Sequence, residues 1–323
     1  MREQLITLLS SGAFCSGEVL GRKLGVTRAA IWKQLKQLER LGLHIEVVRG
    51  KGYRLRDVPS LLDRERVLSA MPVDAGDLLQ ALELFEDIPS TNGYLLELAS
   101  RRRIHGMAAS AERQSQGRGR RGRVWQSPYG SNLYLSVGWT FQGGAAALEG
   151  LSLAVGVAVV GALRSLGCAN VGLKWPNDIL WNDQKLAGIL LELVGDADNA
   201  CHVVVGLGLN VAMPSVDAAA IDQPWTDLRH ILGVAPDRSL LLGRVLGAIL
   251  MALREFAVRG FSGFRAEWLG LDALADREVM LQVGNESILG VARGVNMQGE
   301  LVLDTPGGQR HFHGGELSVR AVG

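Results

Sequence analysis

Residues 117–123, Gly-Arg-Gly-Arg-Arg-Gly-Arg, stand between two strand-like runs at residues 107–110 and 132–139. Their glycines match the GxGxxG pattern, but a dinucleotide site needs a helix directly after the last glycine and an acidic residue about 20 positions further on. Instead, residues 124–130 (Val-Trp-Gln-Ser-Pro-Tyr-Gly) form a turn-rich stretch. A Walker loop is also excluded, since neither Lys-Ser nor Lys-Thr follows the final glycine. We therefore predict a different kind of anion-binding loop inside a folded domain.

The composition of this loop suits negatively charged ligands. Guanidinium groups bind carboxylates and phosphates through paired hydrogen bonds, and glycines let the backbone approach those anions closely. Because four arginines repel one another, we expect the loop to be mobile alone and ordered by an anionic ligand. A surface patch for nucleic acid or a localisation signal is the alternative interpretation. The position of the loop between two strands favours the ligand site.

The length of the chain, 323 residues, predicts two or three domains. We expect residues 1–60 to form one domain, residues 61–270 a mixed α/β domain, and residues 271–323 a small antiparallel β barrel. Candidate strands of the middle domain are residues 107–110, 132–139, 171–175, 189–193 and 203–208, and its strongest candidate helices are residues 148–166 and 240–256. Candidate strands of the last domain are residues 279–283, 288–293 and 300–303.

Bulk composition excludes several classes of protein. Hydrophobic residues make up 47% of the chain and the net charge is +1, which is far from the composition of a disordered protein. The N-terminus lacks the pattern of a signal peptide, and the most apolar stretch, residues 151–163, is shorter than the roughly 20 residues that span a bilayer. We therefore expect a cytoplasmic protein with no membrane partner. Three cysteines without a CxxC pair indicate neither a disulfide framework nor a zinc site.

The first 56 residues predict three short helices followed by a hairpin. Ser16 is a good N-cap, Gly25 suits the left-handed end of the same helix, and Thr27 caps the next helix over residues 28–41. Residues 44–48 and 53–55 predict two strands joined by a basic turn. The pattern is that of a winged helix-turn-helix, and residues 57–60 are predicted to be a linker.

This N-terminal pattern predicts DNA binding. The second helix of the motif can enter a major groove while cations at its rim neutralise phosphates. Trp32 is bulkier than the short polar residue expected beside a base edge, which leaves the preferred DNA sequence open. A small protein-interaction domain with a solvated charged face is the alternative. The candidate DNA-binding residues are Thr27, Arg28, Trp32, Lys33, Lys36 and Lys51.

Six short motifs give this chain its resemblance to a known family. They are Ser90-Thr91-Asn92, Ala111-Glu112-Arg113-Gln114, residues 117–123 with Trp125, Lys174-Trp175-Pro176-Asn177-Asp178, Lys185-Leu186-Ala187-Gly188-Ile189-Leu190 and Gly206-Leu207-Gly208-Leu209-Asn210. Their order and spacing over about 120 residues resemble those of biotin protein ligases. The N-terminal winged helix and the C-terminal segment extend the resemblance to the bifunctional class that carries a DNA-binding repressor domain.

The resemblance implies an activity in two steps. The family joins the biotin carboxylate to the α-phosphate of ATP, which gives biotinyl-5'-AMP and pyrophosphate. It then transfers biotin to a specific lysine of the biotin carboxyl carrier protein of acetyl-CoA carboxylase. The bifunctional class also represses the biotin operon, with biotinyl-AMP as corepressor. By the same resemblance the last domain is SH3-like, and we expect the adenylate to order residues 117–123 and to promote a homodimer on a two-fold symmetric operator.

The resemblance also implies roles for individual residues. Three cations would act on the reacting groups: Lys185, Arg118 and Arg120. Biotin would contact Ser90, Thr91, Asn92, Gln114, Arg118, Gly119, Arg120 and Lys185. ATP or the adenylate would contact Arg121, Arg123, Trp125, Lys174, Asn177, Asp178 and Asn210. Mg²⁺ would enter with ATP, and no other metal is expected.

Interpretations without a role in ligand binding are alternatives for some of these residues. Ser90, Thr91 and Asn92 follow a proline and suit simple capping of a helix. Lys185 follows Asn182 and Asp183, so it also suits a solvated turn, and residues 175–177 suit a purely structural role.

Two other functions are alternatives. A ligand-sensing transcriptional regulator without ligase activity would explain the N-terminus and a pocket, but it would not need an arginine loop suited to a carboxylate and a triphosphate. A lipoate ligase or octanoyl transferase would share the catalytic fold. Its histidine-containing signature is missing, and Cys201 lies in a hydrophobic strand-like run instead of a catalytic setting.

Overall fold

The computed structural model describes residues 1–56, 59–195, 200–284, 286–314 and 317–321. From the N-terminus to the C-terminus, its strands form sheets of two, seven and five strands. The predicted mixed α/β fold class, with antiparallel strands at the C-terminus, is confirmed. Within the described residues, no helix is long and apolar enough to cross a membrane.

The N-terminal segment has the predicted helices and hairpin. The Ser16 hydroxyl accepts a hydrogen bond from Val19 N at 3.2 Å, and the Thr27 hydroxyl accepts one from Ala30 N at 3.2 Å. Gly25 ends the helix between them in the left-handed conformation, with φ of 68°. The elements are α1 (Arg2–Leu9), α2 (Gly17–Leu24), α3 (Arg28–Arg40), β1 (Ile45–Val48) and β2 (Gly52–Leu55).

The middle of the chain builds one seven-stranded sheet. The strand order is β3-β4-β5-β9-β8-β7-β6, in which only the β3–β4 pair is parallel. Its strands are β3 (Ala81–Phe85), β4 (Met107–Ala111), β5 (Leu133–Phe141), β6 (Val171–Lys174), β7 (Asp178–Trp181), β8 (Gln184–Gly195) and β9 (Cys201–Leu209). Its helices are α4 (Arg64–Ser69), α5 (Val73–Gly76), α6 (Thr91–Ala99), α7 (Leu151–Arg164), α8 (Ser215–Ala218), α9 (Leu228–Leu232), α10 (Arg238–Arg259) and α11 (Arg265–Leu269).

Helices cover both faces of this sheet because its strands carry apolar residues on both sides. Val203 and Val205 of β9 belong to the core that contains α7 and α10, whereas Val204 packs with Leu95 of α6. The five candidate strands and two candidate helices of this domain are confirmed within a few residues. Strands β3 and β7 were not predicted.

The segment that leads into the C-terminal strands is hydrogen-bonded to β6, an edge strand of the large sheet. Strands β10 (Glu278–Val283), β11 (Glu286–Val295), β12 (Leu301–Thr305), β13 (Gly308–Phe312) and β14 (Leu317–Ala321) form an antiparallel sheet in the order β13-β12-β11-β10-β14. Leu173 N of β6 donates to Leu271 O at 2.7 Å, and Ala273 N donates back to Leu173 O at 2.8 Å. The buried Trp175 adds a third connection, since its Nε1 donates to Gly299 O at 3.1 Å.

The N-terminal segment also contacts the large domain. Tyr129 is 3% exposed and packs into the apolar cluster of α1–α3, while its hydroxyl donates to Glu86 at 3.2 Å. Arg2 of α1 forms an ion pair with the same Glu86. Of the predicted linker, residues 57 and 58 lie outside the described residues, and Ser60 N donates to Gly130 O at 3.2 Å.

Candidate active site

One pocket of about 700 Å³ opens beside strands β8 and β9. The arginine-rich loop, the start of α6, the β6–β7 turn, residues 220–225 and the C-terminal strands line it. The structure thus brings together every residue that the sequence predicted for biotin and ATP. These residues are Ser90, Thr91, Asn92, Gln114, Arg118, Gly119, Arg120, Arg121, Arg123, Trp125, Lys174, Asn177, Asp178, Lys185 and Asn210.

At one end of the pocket neutral side chains form a continuous hydrogen-bond network. Both the backbone N and the hydroxyl of Thr91 donate to Gln114 Oε1, at 2.9 and 3.1 Å. The Ser136 hydroxyl donates to Asn92 Oδ1 at 2.5 Å, and its oxygen lies 2.7 Å from Thr91 Oγ1. Ser90 caps α6 by accepting from Gly93 N at 3.2 Å, so the capping interpretation of Ser90 holds and Thr91 and Asn92 have additional roles.

Two glycines of β9 make room for side chains of the pocket. A Cβ atom on Gly206 would collide with the carboxamide of Asn92, and one on Gly208 would collide with the indole of Trp125. Trp125 also lies next to Gly188 of β8. The glycine positions in the last two motifs therefore let Asn92 and Trp125 lie flat against the sheet.

The opposite end of the pocket is cationic. Lys185 Nζ lies 2.7 Å from Asp178 Oδ1, and Lys174 Nζ lies 3.6 Å from Asp178 Oδ2. Lys185 belongs to β8 and its side chain is 17% exposed, so the interpretation of Lys185 as a solvated turn residue is wrong. The reason is tertiary: pairing of β8 with β7 turns the lysine toward Asp178.

Arg120 adds a further cation at this end. Its Nη1 donates to Asn177 Oδ1 at 3.0 Å. Burial lowers the pKa of Arg120, the nearby Asp178 raises it and Arg121 lowers it. An arginine stays protonated at neutral pH despite such shifts, so Arg120 adds a partly buried positive charge to the pocket.

The arginine-rich loop folds back on itself over the pocket. Trp125 N donates to Gly117 O at 2.9 Å, and Gly119 N donates to Arg123 O at 2.8 Å. Arg121 takes a positive φ of 59° at the tip. The Gly119 amide, expected to face a ligand, is thus used inside the loop, whereas Arg121 and Arg123 are exposed. Mobility of this loop stays a prediction.

The ring of Trp125 faces a lysine, whereas the side chain of Asn210 is held by hydrogen bonds to backbone carbonyls. Lys185 Nζ lies 5.6 Å from the centre of the Trp125 ring. Asn210 is 4% exposed and its Nδ2 donates to Thr226 O at 3.0 Å and Lys185 O at 3.4 Å. Asn210 therefore fastens the backbone around Lys185, and its contact with adenine stays a prediction.

Sequence reasoning missed one residue that lines the pocket and two that hydrogen-bond to its lining. Trp225 lines the pocket where Lys185 N donates to Pro224 O at 2.9 Å. Ser136 and Glu192 join the network around Asn92. A tryptophan next to a proline gives no motif, but the polar Ser136 inside an apolar strand was a usable signal, since buried polar groups need partners.

The two histidines of the C-terminal segment lie beside a single carboxylate. His311 and His313 lie 3.7 and 2.6 Å from Glu300 oxygens. Among the residues that the structure describes, no three His, Cys, Asp or Glu side chains are grouped so as to hold a metal ion.

The six candidate DNA-binding residues of the N-terminal segment are all exposed. Ile31, Leu35 and Leu38 form the buried face of α3, while Trp32 on the outer face is 57% exposed. Lys36 forms an ion pair with Glu39 at 2.6 Å. The exposed residues are Thr27, Arg28, Trp32, Lys33, Lys36 and Lys51.

Three family models match separate parts of the chain. Residues 84–210 match the biotin/lipoate A/B protein ligase family. Residues 2–54 match an HTH domain, and residues 276–320 match the biotin protein ligase C terminal domain. The three matches follow the order of the three sheets.

Two similar proteins match nearly the whole chain. The bifunctional ligase/repressor BirA of Salmonella typhimurium is 42% identical over 318 residues, which are 98% of this chain and 97% of that protein. BirA of Escherichia coli is 40% identical over 319 residues, 99% of this chain and 97% of that protein. The structure of the biotin protein ligase from Aquifex aeolicus in complex with biotin and ATP is 30% identical with a TM-score of 0.65, and covers 76% of this chain and 100% of that one. This chain therefore belongs to the biotin protein ligase family, in its bifunctional ligase/repressor group.

Proposed function

We propose that this chain activates biotin with ATP, transfers it to a carrier protein and represses transcription. One observation carries the ligase assignment: a single pocket has a neutral hydrogen-bonding end, formed by Thr91 and Gln114, and a cationic end, formed by Arg120 and Lys185. Biotin has the same division, since its ureido ring needs both donors and acceptors and its tail ends in a carboxylate. The relatives named as ligase/repressors support the proposal.

The first step brings two anions together. A carboxylate oxygen of biotin attacks the α-phosphorus of ATP, the bond from that phosphorus to the bridging oxygen breaks, and pyrophosphate leaves. The protein needs to supply position and positive charge for this step, without a nucleophile of its own. Arg118, Arg120 and Lys185 supply the charge, and Asp178 holds the Lys185 ammonium at 2.7 Å.

In the second step the ε-amine of a carrier lysine attacks the acyl carbon, AMP leaves and the amine loses a proton. We propose the biotin carboxyl carrier protein of acetyl-CoA carboxylase as the acceptor. We propose that Mg²⁺ enters as part of the ATP substrate, and that Asp178 serves to hold Lys174 and Lys185 through its two ion pairs. Since ATP and the carrier are cytoplasmic, we propose the same location for this chain.

We propose domain limits at residues 1–60, 61–270 and 271–323. The first domain binds operator DNA through its exposed residues on α3 and the hairpin. The adenylate is the corepressor: it orders residues 117–123 and promotes a homodimer whose two-fold axis coincides with that of the operator. Sedimentation that gives one monomeric state with and without the adenylate would exclude this mode of repression.

The ligase proposal is tested by incubating the chain with biotin and ATP, without a carrier, and measuring biotinyl-adenylate by mass spectrometry. We expect adenylate from the wild type and a loss of at least about 100-fold in Lys185→Ala, because a removed charge stabiliser typically costs that much. Lys33→Ala, an exposed lysine on α3, is the matched control and should form adenylate normally. Biotin binding without adenylate would favour the ligand-sensing regulator.

A further inference from the structure

Glu192 is a carboxylate on strand β8 that contacts two residues of the pocket lining, Asn92 and Arg118. Its Oε2 accepts a hydrogen bond from Asn92 Nδ2 at 2.7 Å, and its Oε1 accepts one from Arg118 Nη2 at 3.3 Å. The side chain of Glu192 is 25% exposed, whereas that of Arg118 is 49% exposed. Glu192 thus contacts both the neutral network and the arginine-rich loop.

The two bonds of Glu192 differ in strength. Asn92 is 5% exposed, its Oδ1 accepts from Ser136, and it packs directly on Gly206. The bond from Asn92 therefore fixes the carboxylate in place. The contact with Arg118 is a single, long and half-exposed one, of the kind that changes an equilibrium constant about 2- to 5-fold, or about 0.4–1 kcal/mol.

We infer that Glu192 competes with an anionic ligand for Arg118, and so tunes the affinity of the pocket for ligands that carry a carboxylate or phosphate. This inference rests on the proposed function, in which Arg118 supplies positive charge to the reacting anions; we take the biotin carboxylate to be the anion that Arg118 contacts. To reach that carboxylate, the guanidinium of Arg118 breaks its contact with Glu192. Glu192 then keeps its hydrogen bond from Asn92 and is exposed enough to be hydrated. A neutral ligand that does not recruit Arg118 leaves the ion pair intact.

Replacing Glu192 by glutamine separates the charge of this side chain from its structural bond. The amide oxygen of the glutamine has the same reach and still accepts from Asn92, but it no longer attracts Arg118 as an anion does. Competition therefore predicts a tighter complex with biotin and an unchanged complex with a neutral analogue. A role limited to supporting Asn92 predicts the same change for both ligands.

The experiment is calorimetric titration of the full chain with biotin and with biotinamide, whose tail is an uncharged carboxamide. In Glu192→Gln we expect the Kd for biotin to fall about 2- to 5-fold and the Kd for biotinamide to stay the same. Glu255→Gln removes the carboxylate of an exposed ion pair with Arg259 on α10 and should change neither Kd. In an Arg118→Gln background, Glu192→Gln should have no effect, because the competing pair is already broken.

Three outcomes would overturn the inference. Equal changes for biotin and biotinamide would make Glu192 a support for Asn92 alone. A weaker complex with biotin only would mean that Glu192 positions Arg118 for the ligand. A gain that persists in the Arg118→Gln background would assign the effect to another cation. Failure of the wild type to bind either ligand would instead overturn the proposed function, so the two failures are distinguishable.

Discussion

Replacing Arg238 by methionine should destabilise the large domain more than any exposed substitution. Arg238 begins α10 and its side chain is 2% exposed. Its Nη1 lies 2.6 Å from Glu112 Oε2, its Nη2 donates to Asn132 O at 2.6 Å, and it also contacts Ser60 O. Methionine keeps most of the side-chain volume, but it leaves a buried carboxylate and two carbonyl groups without their charged partner.

The expected cost follows from these contacts. Breaking a buried pair by removing one partner costs about 3–5 kcal/mol, because the remaining charge is uncompensated. In the double variant Glu112→Gln/Arg238→Met that charge is gone, and unpaired polar groups should cost about 1–3 kcal/mol. The double variant should therefore be more stable than the single one. Arg259→Met, which breaks an exposed pair on the same helix, should cost less than about 1 kcal/mol.

The assay is urea denaturation followed by circular dichroism and tryptophan fluorescence, with the free energy of unfolding compared among the four proteins. The reasoning is refuted if Arg238→Met loses less than about 1 kcal/mol. It is also refuted if the double variant is no more stable than Arg238→Met, because the uncompensated carboxylate would then not be the main cost.

Three further predictions concern stability, the pocket and DNA. Burial raises the pKa of Asp272 from its ordinary value of 3.8 to about 6. The folded state therefore loses stability as the pH rises from 3.8 to about 6, and the full loss persists at higher pH. Asp272→Asn should raise Tm near about pH 8 and leave it unchanged near about pH 3, below both pKa values. Gly208→Ala should displace Trp125 and so lower kcat/KM of the ligase reaction by at least about 10-fold. Gly161→Ala is the control, because the space around its Cβ is open. It should stabilise α7 by about 0.5–1 kcal/mol and leave kcat/KM unchanged. Lys33→Ala should reduce the slope of log affinity for DNA against log salt by about 1, measured by fluorescence anisotropy, and an unchanged slope would remove Lys33 from the interface.

Local features of the fold were predictable because their causes lie within a few residues. The caps at Ser16, Thr27 and Ser90 each accept from a backbone N–H three positions further on, which the sequence shows directly. The long strand-like runs also sufficed for β5 and β9. In contrast, β7 has four residues directly after a turn motif, and it is a strand only because β6 and β8 pair with both of its edges.

The candidate site was predictable as a set of residues but not as a set of contacts. The motifs identified Arg118, Asp178 and Lys185, yet the pairing of Lys185 with Asp178 depends on the register between β7 and β8. Glu192 and Trp225 carried no local signal. Glu192 supports the pocket through contacts with Asn92 and Arg118, and Trp225 reaches it through a backbone contact with the strand of Lys185; both are tertiary interactions.

The central claim is that this pocket joins the carboxylate of biotin to the α-phosphate of ATP. Biotin-dependent exchange of labelled pyrophosphate into ATP measures the reversal of that step without a carrier. We expect exchange in the wild type and its loss in both Lys185→Ala and Arg118→Ala, each checked for an unchanged fold by circular dichroism. A folded wild-type chain that shows no exchange, or variants that exchange as fast as the wild type, would contradict the claim.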